Sequence, residues 1–498
     1  MTAATLPDFP RLSTTDVAEA IAQLADIYDA STQYLAEKYQ SYRDGELPEE
    51  PVQVCYPEIV VNVEKVPPLD SSLANGFIEY PGTYRSVLTR PRMFHDYLAE
   101  QLTALRENND VTFEIGVSDQ PIPVEFLPDY AEIKGSGEGP AGADERAWFT
   151  PIDLTAVDDR IADTGYIEER VPGAPEPDRP LFLFKAQRVD LACSRLEHYT
   201  GTSVEDIQQF IVFTNYALHT EEFVEYALGR SDERLAKYQA LVGPGMRVDL
   251  ASDPDTFPTN AAVHANQSKY QMPAYHLTDE DGTGVTIVNI GVGPSNAKTI
   301  TDCLAVLRPQ CWIMIGHCAG LDGRMRLGDL LLANAYERKD AVLDKIVPLT
   351  TPIPPIPELQ RALIRSIEEN AQLEGEQYRR SVRTGTILST ADRNWEWETP
   401  TGIAELFGGS TAIGLEMESC TVATNGYRYR VPYAALLSVS DLPLHHVPKL
   451  PGSAREFYLR SKRAHLMVAV RACEELSDDP ALLYTRKLRR TLREVPMR

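Results

Sequence analysis

The chain has 498 residues, 43% of them hydrophobic, and carries 48 lysines and arginines against 73 aspartates and glutamates, a net charge of −25. That length supports two or three domains with sizeable cores. The acidic balance excludes broad adhesion to nucleic acid or an anionic membrane, which needs a basic face, but not a small anion held by a few local arginines.

The seven cysteines (Cys55, Cys193, Cys303, Cys311, Cys318, Cys420 and Cys473) are scattered and never spaced as CxxC, so neither a zinc cluster nor a disulfide framework is expected. The first residues lack the basic head and apolar core of a signal peptide, and no apolar run approaches a membrane span. A soluble cytoplasmic protein is the expectation.

In chain order, Ser13-Thr14-Thr15-Asp16 is a capping signal before apolar residues at helical spacing, predicting a first helix to about Tyr42. Extended stretches follow from Tyr56 and from Thr83 to Pro91, then a helix from Pro91 to Leu105 and a strand at VTFEIGVS. Gly135 to Glu145, GSGEGPAGADE, reads as a flexible loop. Val171 to Pro180, VPGAPEPDRP, reads as a linker, dense in proline and without periodicity. A cut near Pro180 leaves an α+β N-terminal domain, residues 1–180, and a larger C-terminal domain, residues 181–498. The first carries no complete catalytic motif. Arg85, Arg90 and Arg92 stand out there, either as solvated surface or as a phosphate contact, since guanidinium forks onto phosphate oxygens.

Beyond the linker a strand–loop–helix grammar recurs four times, predicting an α/β fold with a parallel or mixed sheet. QQFIVFTNY reads as strand then loop, and ALHTEEFVEYA as the helix after it. Between Gly284 and Leu307, TIVNI is a buried strand, Gly291-Val292-Gly293-Pro294-Ser295-Asn296 a tight loop, and AKTITDCLAVL an amphipathic helix. Such a loop presents backbone N–H groups to an anion or polar ligand. It is no dinucleotide fingerprint, because Asn296 stands where the third glycine belongs. WIMIG is a further buried strand with GHCAGL as the tight turn at its end. Without a suitable base in view, Cys318 reads as packing and His317 as hydrogen-bonded structure.

RALIRSIEENAQL predicts a surface helix. TGTILST predicts a strand, followed by a loop with Asp392, Arg393, Asn394, Trp395 and Trp397. Trp395 is the residue chosen to stack on a base, with ordinary core packing as its other reading. From Gly414 to Asp441 the sequence is GLEMESCTVATNGYRYRVPYAALLSVSD. Glu416 and Glu418 flank Met417, Ser419 and Ala423 mark a close-packed helix, and Asp441 ends an apolar strand. Open α/β sheets bind ligands at the carboxyl ends of strands, where burial lets a carboxyl hold its proton near neutrality. A solvated turn acid is the plainer reading.

The EME turn with a later strand ending in Ser-Asp resembles the nucleoside phosphorylase and nucleosidase superfamily. HYTGT, FTNY, QMPAYHL, GVGPSNAKTI, IGHCAGL, ADRNWE, MES and SDLPLH, in that order, resemble the AMP nucleosidase family more closely. The likeness covers most of the C-terminal domain, and an N-terminal extension is also characteristic of that family. It implies a phosphorylase-like α/β/α sandwich with a mixed sheet, and hydrolysis of the N-glycosidic bond of AMP to adenine and ribose 5-phosphate. Asp441, steadied by Ser440, would protonate or hydrogen-bond the departing purine. Glu418 would hold the ribose hydroxyls, with Met417 under the sugar, Trp395 against the base, and Gly291 and Gly293 beside the nucleoside. Glu416 stands where some relatives have aspartate.

For the 5′-phosphate the candidates are Ser295, Asn296, Thr200, Thr202, and Arg85 or Arg90 from a regulatory N-terminal domain. Phosphorylases of the superfamily hold orthophosphate with arginines that WIMIGHC and FTNYALH lack, which favours water as the attacking group. The resemblance implies no required cofactor and no metal, with ATP (with magnesium) as an allosteric activator. It also implies a homohexamer, with no nucleic-acid or membrane partner. The rival functions are a phosphate-dependent purine nucleoside phosphorylase and a noncatalytic purine nucleotide sensor.

Overall fold

The computed structural model describes residues 6–68, 70, 73–163, 178–229, 232–370, 380–448, 451–479, 482–483 and 494–498. The chain forms two compact units, Met1–Ser194 with Arg489–Arg498, and Arg195–Leu488. The division falls beyond Pro180 because Leu181, Phe182, Leu183 and Phe184 are buried in the first unit, where Met497 N–H donates to Leu181 O at 3.0 Å. Most of the Val171–Pro180 stretch lies outside the described residues.

In the first unit the elements are β1 (Leu12–Thr14), α1 (Val17–Arg43), β2 (Cys55–Val63), β3 (Gly82–Val87), α2 (His95–Asn109), β4 (Phe113–Pro121) and α3 (Tyr130–Ser136), and α4 (Ala186–Thr200) begins there. Helix α1 starts where the sequence places it: the Asp16 carboxylate accepts the Glu19 N–H at 3.0 Å, satisfying one of the open donors of the first turn. Its apolar face, including Ile21, Leu24, Tyr28 and Leu35, is buried. The four strands pair antiparallel in the order β1-β4-β2-β3. Gly135 and Ser136 close α3, so part of the expected loop is helical.

The second unit holds β5 (Phe210–Thr214), α5 (Ala217–Gly229), β6 (Ala240–Gly243), β7 (Met246–Asp249), α6 (Asn260–Val263), β8 (Ala274–Thr278), β9 (Val285–Asn289), α7 (Pro294–Leu304), β10 (Cys311–Gly320), β11 (Leu330–Lys339), α8 (Pro357–Asn370), β12 (Val382–Thr390), α9 (Pro400–Phe407), β13 (Ala412–Glu416), α10 (Ser419–Tyr429), β14 (Tyr433–Asp441) and α11 (Pro451–Asp478). Ten strands form one mixed sheet, β13-β12-β11-β14-β10-β5-β9-β8-β6-β7, and β13 also pairs with β10. Strands β9, β5, β10 and β14 run parallel, so their carboxyl ends gather on one edge.

One expectation fails locally. GHCAGL is no tight turn, because β10 continues through Gly320. It pairs in parallel with β14 as far as Ala319, which meets Asp441 past a register shift after Cys318, and Ala319 and Gly320 also pair antiparallel with Leu415 and Gly414 of β13. Glycine permits the close approach, since a Cβ at Gly320 would lie 2.6 Å from Leu442 Cδ2. No helix among the described residues is long and apolar enough to cross a membrane.

Candidate active site

Strand β13 delivers Glu416 and helix α10 begins three residues later, so the EME turn is a strand-to-helix junction. Glu416 Oε2 accepts the backbone N–H groups of Glu418 (2.7 Å) and Ser419 (2.8 Å), and Ser389 Oγ donates to its Oε1. A carboxylate at a helix N-terminus satisfies open donors and meets the positive end of the helix dipole. Glu416 is therefore a buried clamp that fixes the backbone from which Glu418 projects.

Glu418 is 1% exposed and accepts from Gly293 N–H at 2.5 Å and from Asn215 Nδ2 at 3.1 Å. Gly293 has φ of +116°, a backbone shape that side chains resist, which is why the loop after β9 needs glycine there. Burial, then the neighbouring Glu416 carboxylate, push the Glu418 pKa up; the donors on Gly293 and Asn215 oppose the rise. Glu416 is also raised by burial, against the hydrogen bonds from Ser389 and the helix N-terminus.

At the end of β14, Asp441 is 5% exposed and Ser440 Oγ donates to its Oδ1 at 2.5 Å. Ser440 Oγ also lies 3.3 Å from Cys318 O, so the hydroxyl steadies the acid against β10. Glu418, Met417, Ser440 and Asp441 all line one cavity of about 520 Å³. That falls in the range of small-molecule sites, roughly 300–1,000 Å³. Asn215 and Tyr216, from the carboxyl end of β5, complete the wall with Val292, His317, Cys318, Asp392, Arg393, Trp395 and Trp397.

The other expected residues are placed differently. Trp395 reaches the cavity but is 5% exposed and packs edge-on against Phe407, ring centroids 5.4 Å apart, in a cluster with Leu388 and Leu415. Trp397, two residues on, is 82% exposed at the same cavity. Of the glycine loop only Val292 lines the wall; Gly291, Ser295 and Asn296 do not, and Asn296 Nδ2 donates back to Val292 O at 3.4 Å. Thr200 and Thr202 are buried in the interior, where Thr202 Oγ1 lies 2.9 Å from His276 Nε2 and 3.0 Å from Thr200 Oγ1. Neither lines the cavity.

Within the first unit, Arg90 Nε donates to the fully buried Asp190 at 2.9 Å. Arg85 pairs with Glu58 (3.2 Å) and Asp178 (2.7 Å), and Arg92 with Asp29 at 2.5 Å. All three are committed to carboxylates of their own unit.

Asn215, Tyr216 and His317 were missed as wall residues. The signal that could have found Asn215 and Tyr216 was the same rule that found Asp441, their place at the carboxyl end of a parallel strand. His317 was hidden by the supposed turn. Cys318 also faces the cavity, and glycine at position 414 leaves room for it and for Leu331: a Cβ there would lie 2.7 Å from Leu331 Cδ1 and 3.3 Å from Cys318 Sγ.

Residues 19–172 match the family described as Bacterial AMP nucleoside phosphorylase N-terminus, and residues 246–472 match the Phosphorylase superfamily. The chain is 40% identical to AMP nucleosidase of Escherichia coli (strain K12) over 489 residues, 97% of this chain and 98% of that protein. It is 27% identical over 162 residues to a 5′-methylthioadenosine/S-adenosylhomocysteine nucleosidase of Staphylococcus aureus, 32% of this chain and 68% of that one. A crystal structure of AMP nucleosidase from Bacteroides thetaiotaomicron aligns with a TM-score of 0.43 and 24% identity, covering 59% of this chain and 99% of the other. With identity at this level across nearly its whole length, the chain belongs to the AMP nucleosidase family.

Proposed function

We propose that the chain hydrolyses the N-glycosidic bond of AMP, releasing adenine and ribose 5-phosphate. The observation that carries this reading is the meeting of Glu418 and Asp441 on one nucleotide-sized cavity, in a member of a family whose E. coli relative is an AMP nucleosidase. Breaking the bond leaves positive charge on the ribosyl ring and negative charge on the purine. Asp441, steadied by Ser440, meets the purine as it leaves, and general acid help of this kind is typically worth about 10²–10⁴-fold. Glu418 takes the ribose hydroxyls, and its ionised form favours the ribosyl cation. Gly293 N–H and Asn215 Nδ2, which donate to Glu418, keep the carboxylate ionisable in a buried place. Met417 packs under the sugar.

Water is the attacking group in this reading, supported by the lack of arginine in the strand ends at Phe213–His219 and Trp312–Cys318. The same reading includes a cytoplasmic homohexamer activated by ATP with magnesium, with the first unit in the regulatory role. The likeness to AMP nucleosidase across both units supports that part.

The test is adenine release from AMP in phosphate-free buffer, with adenosine in parallel and Asp441→Asn as control. Release from AMP but not adenosine, lost in the variant, is the expected result. Turnover only after phosphate is added makes the enzyme a phosphorylase instead, and tight AMP binding without release makes it a sensor.

A further inference from the structure

Three histidines that share no sequence motif meet in the second unit: His219 of α5, His317 of β10 and His465 of α11. They are 0%, 5% and 1% exposed. One nitrogen from each lies within 4.8 Å of the other two. The His219 and His317 rings are stacked at 5.6 Å, and His465 stands edge-on to His219 at 5.3 Å.

The outer nitrogens of two of these rings are already engaged. His465 Nε2 lies 2.8 Å from Leu436 O. A carbonyl only accepts, so Nε2 carries the hydrogen and Nδ1 is left as a lone pair. His219 Nδ1 lies 2.7 Å from Thr214 Oγ1. On the inner side, His219 Nε2 and His465 Nδ1 are buried without a hydrogen-bond partner. Two such orphaned atoms a few ångströms apart are uncommon in a folded interior. Ligating histidines show this pattern, one nitrogen on the metal and the other held by a carbonyl or hydroxyl that fixes tautomer and orientation.

We propose that His219, His317 and His465 bind one divalent transition-metal ion of the zinc class, with a fourth coordination position open toward the cavity. Three neutral imidazoles suit zinc, cobalt, nickel or copper, whereas magnesium and calcium require oxygen ligands. Three protein ligands with one open position is the composition of zinc sites that take a small molecule. Zinc–nitrogen distances of about 2.0–2.1 Å set ligand nitrogens about 3.4 Å apart, so binding draws the rings inward. Of the three rings only His317 lines the cavity, next to Asn215 and Tyr216, so the open position lies on that side. Its ligand is an oxygen, from water or from an anionic group of the bound molecule. Lys462, whose charge reaches His219, is itself held 3.0 Å from the Glu222 carboxylate.

The test needs no assumption about the reaction, because the metal alone is the probe. The full-length chain, purified without a histidine tag and stripped with chelator, is titrated with zinc and with cobalt. Metal content is read by elemental analysis, and cobalt geometry by its visible absorption. About one equivalent per chain with a tetrahedral cobalt spectrum is expected, as for a three-histidine site. Affinity should fall at least tenfold in His219→Asn and in His317→Asn, in line with the loss of a ligand or its support. His317→Asn lies on the cavity wall and keeps the test open should the more deeply buried variant fail to fold, which circular dichroism reports. No retained ion at stoichiometric metal, or equal uptake by wild type and His317→Asn, overturns the proposal; the second result means an adventitious ion only.

Discussion

Each unit buries a carboxylate, and their surroundings are opposite. Asp190, in the first unit, is met by Tyr56 OH (2.8 Å), by Thr89 Oγ1 (2.9 Å to the same oxygen) and by Arg90 Nε at 2.9 Å on the other. Burial raises its pKa, but the first opposing influence is a guanidinium. Glu418, in the second unit, is held by neutral donors, and the largest charged influence on it is another carboxylate, which raises its pKa further. Asp190 is saturated by protein. Glu418 faces an open cavity beside Asp441. A buried charge whose partners are complete is a structural pair, whereas like charges held together at a cavity wall are an arrangement that a ligand completes. This contrast, more than burial itself, separates architecture from chemistry here.

The strongest way to break the comparison is through Arg90. If it serves Asp190, Arg90→Ala strands a buried carboxylate and lowers the unfolding free energy of the first unit by about 3–5 kcal/mol. The folded fraction should keep its Michaelis constant for AMP. Denaturant unfolding and steady-state kinetics on one preparation read both. A raised Michaelis constant with unchanged stability would instead make Arg90 a phosphate contact.

Next comes Glu418→Gln, which keeps the size and removes the charge. Loss of one preorganised electrostatic contact costs on the order of 10²–10³ in rate, so kcat/KM for AMP should fall by about that much. The pH profiles carry the sharper signature. If Glu418 acts as proposed, the ionised form it acts in is lost as pH falls through its raised pKa, above the ordinary carboxylate range. Stability runs the other way: the contribution from the extra proton is present at low pH and is lost as pH rises through the same value. The wild type should therefore gain activity and lose melting temperature over one pH window, and Glu418→Gln should flatten both. An acid limb at the pH of an ordinary glutamate would sink the assignment.

Local pattern made much of the fold legible. The Asp16 cap, the helix to Arg43, the buried strands at β5, β9 and β14, and the placement of Asp441 follow from periodicity, capping residues and strand ends. Pairing through space was not legible. Arg90 and Asp190 are 100 residues apart, and nothing in their neighbours announces the ion pair. The Thr200–Thr202–His276 network looked like a phosphate loop because threonine hydroxyls serve both purposes. Glycines in GHCAGL suggested a turn, whereas here the strand runs on beside β14 and takes β13 as a further partner. The histidine cluster has no spacing signal, since α5, β10 and α11 meet only in the folded unit.

The smallest expected effect is at Trp397, one of two tryptophans in one loop that form a short-range version of the same contrast. Trp395 is packed against Phe407 and Leu388, so its truncation opens a hole in the core, typically about 3–5 kcal/mol for a large aromatic. Trp397 is exposed at the cavity and has little packing to lose. If it closes over the base, Trp397→Ala should leave the melting temperature unchanged and weaken AMP binding by about 1–3 kcal/mol, the usual range for base–aromatic stacking. Trp397→Phe should recover part of the loss, because a smaller ring still stacks. The sequence chose Trp395 for the base, and apolar spacing could not separate the two, since both follow the same strand. If Trp395→Phe weakens AMP binding more than Trp397→Ala at equal folded fraction, the stacking face belongs to the buried ring. Exposure would then have misled where the original choice did not.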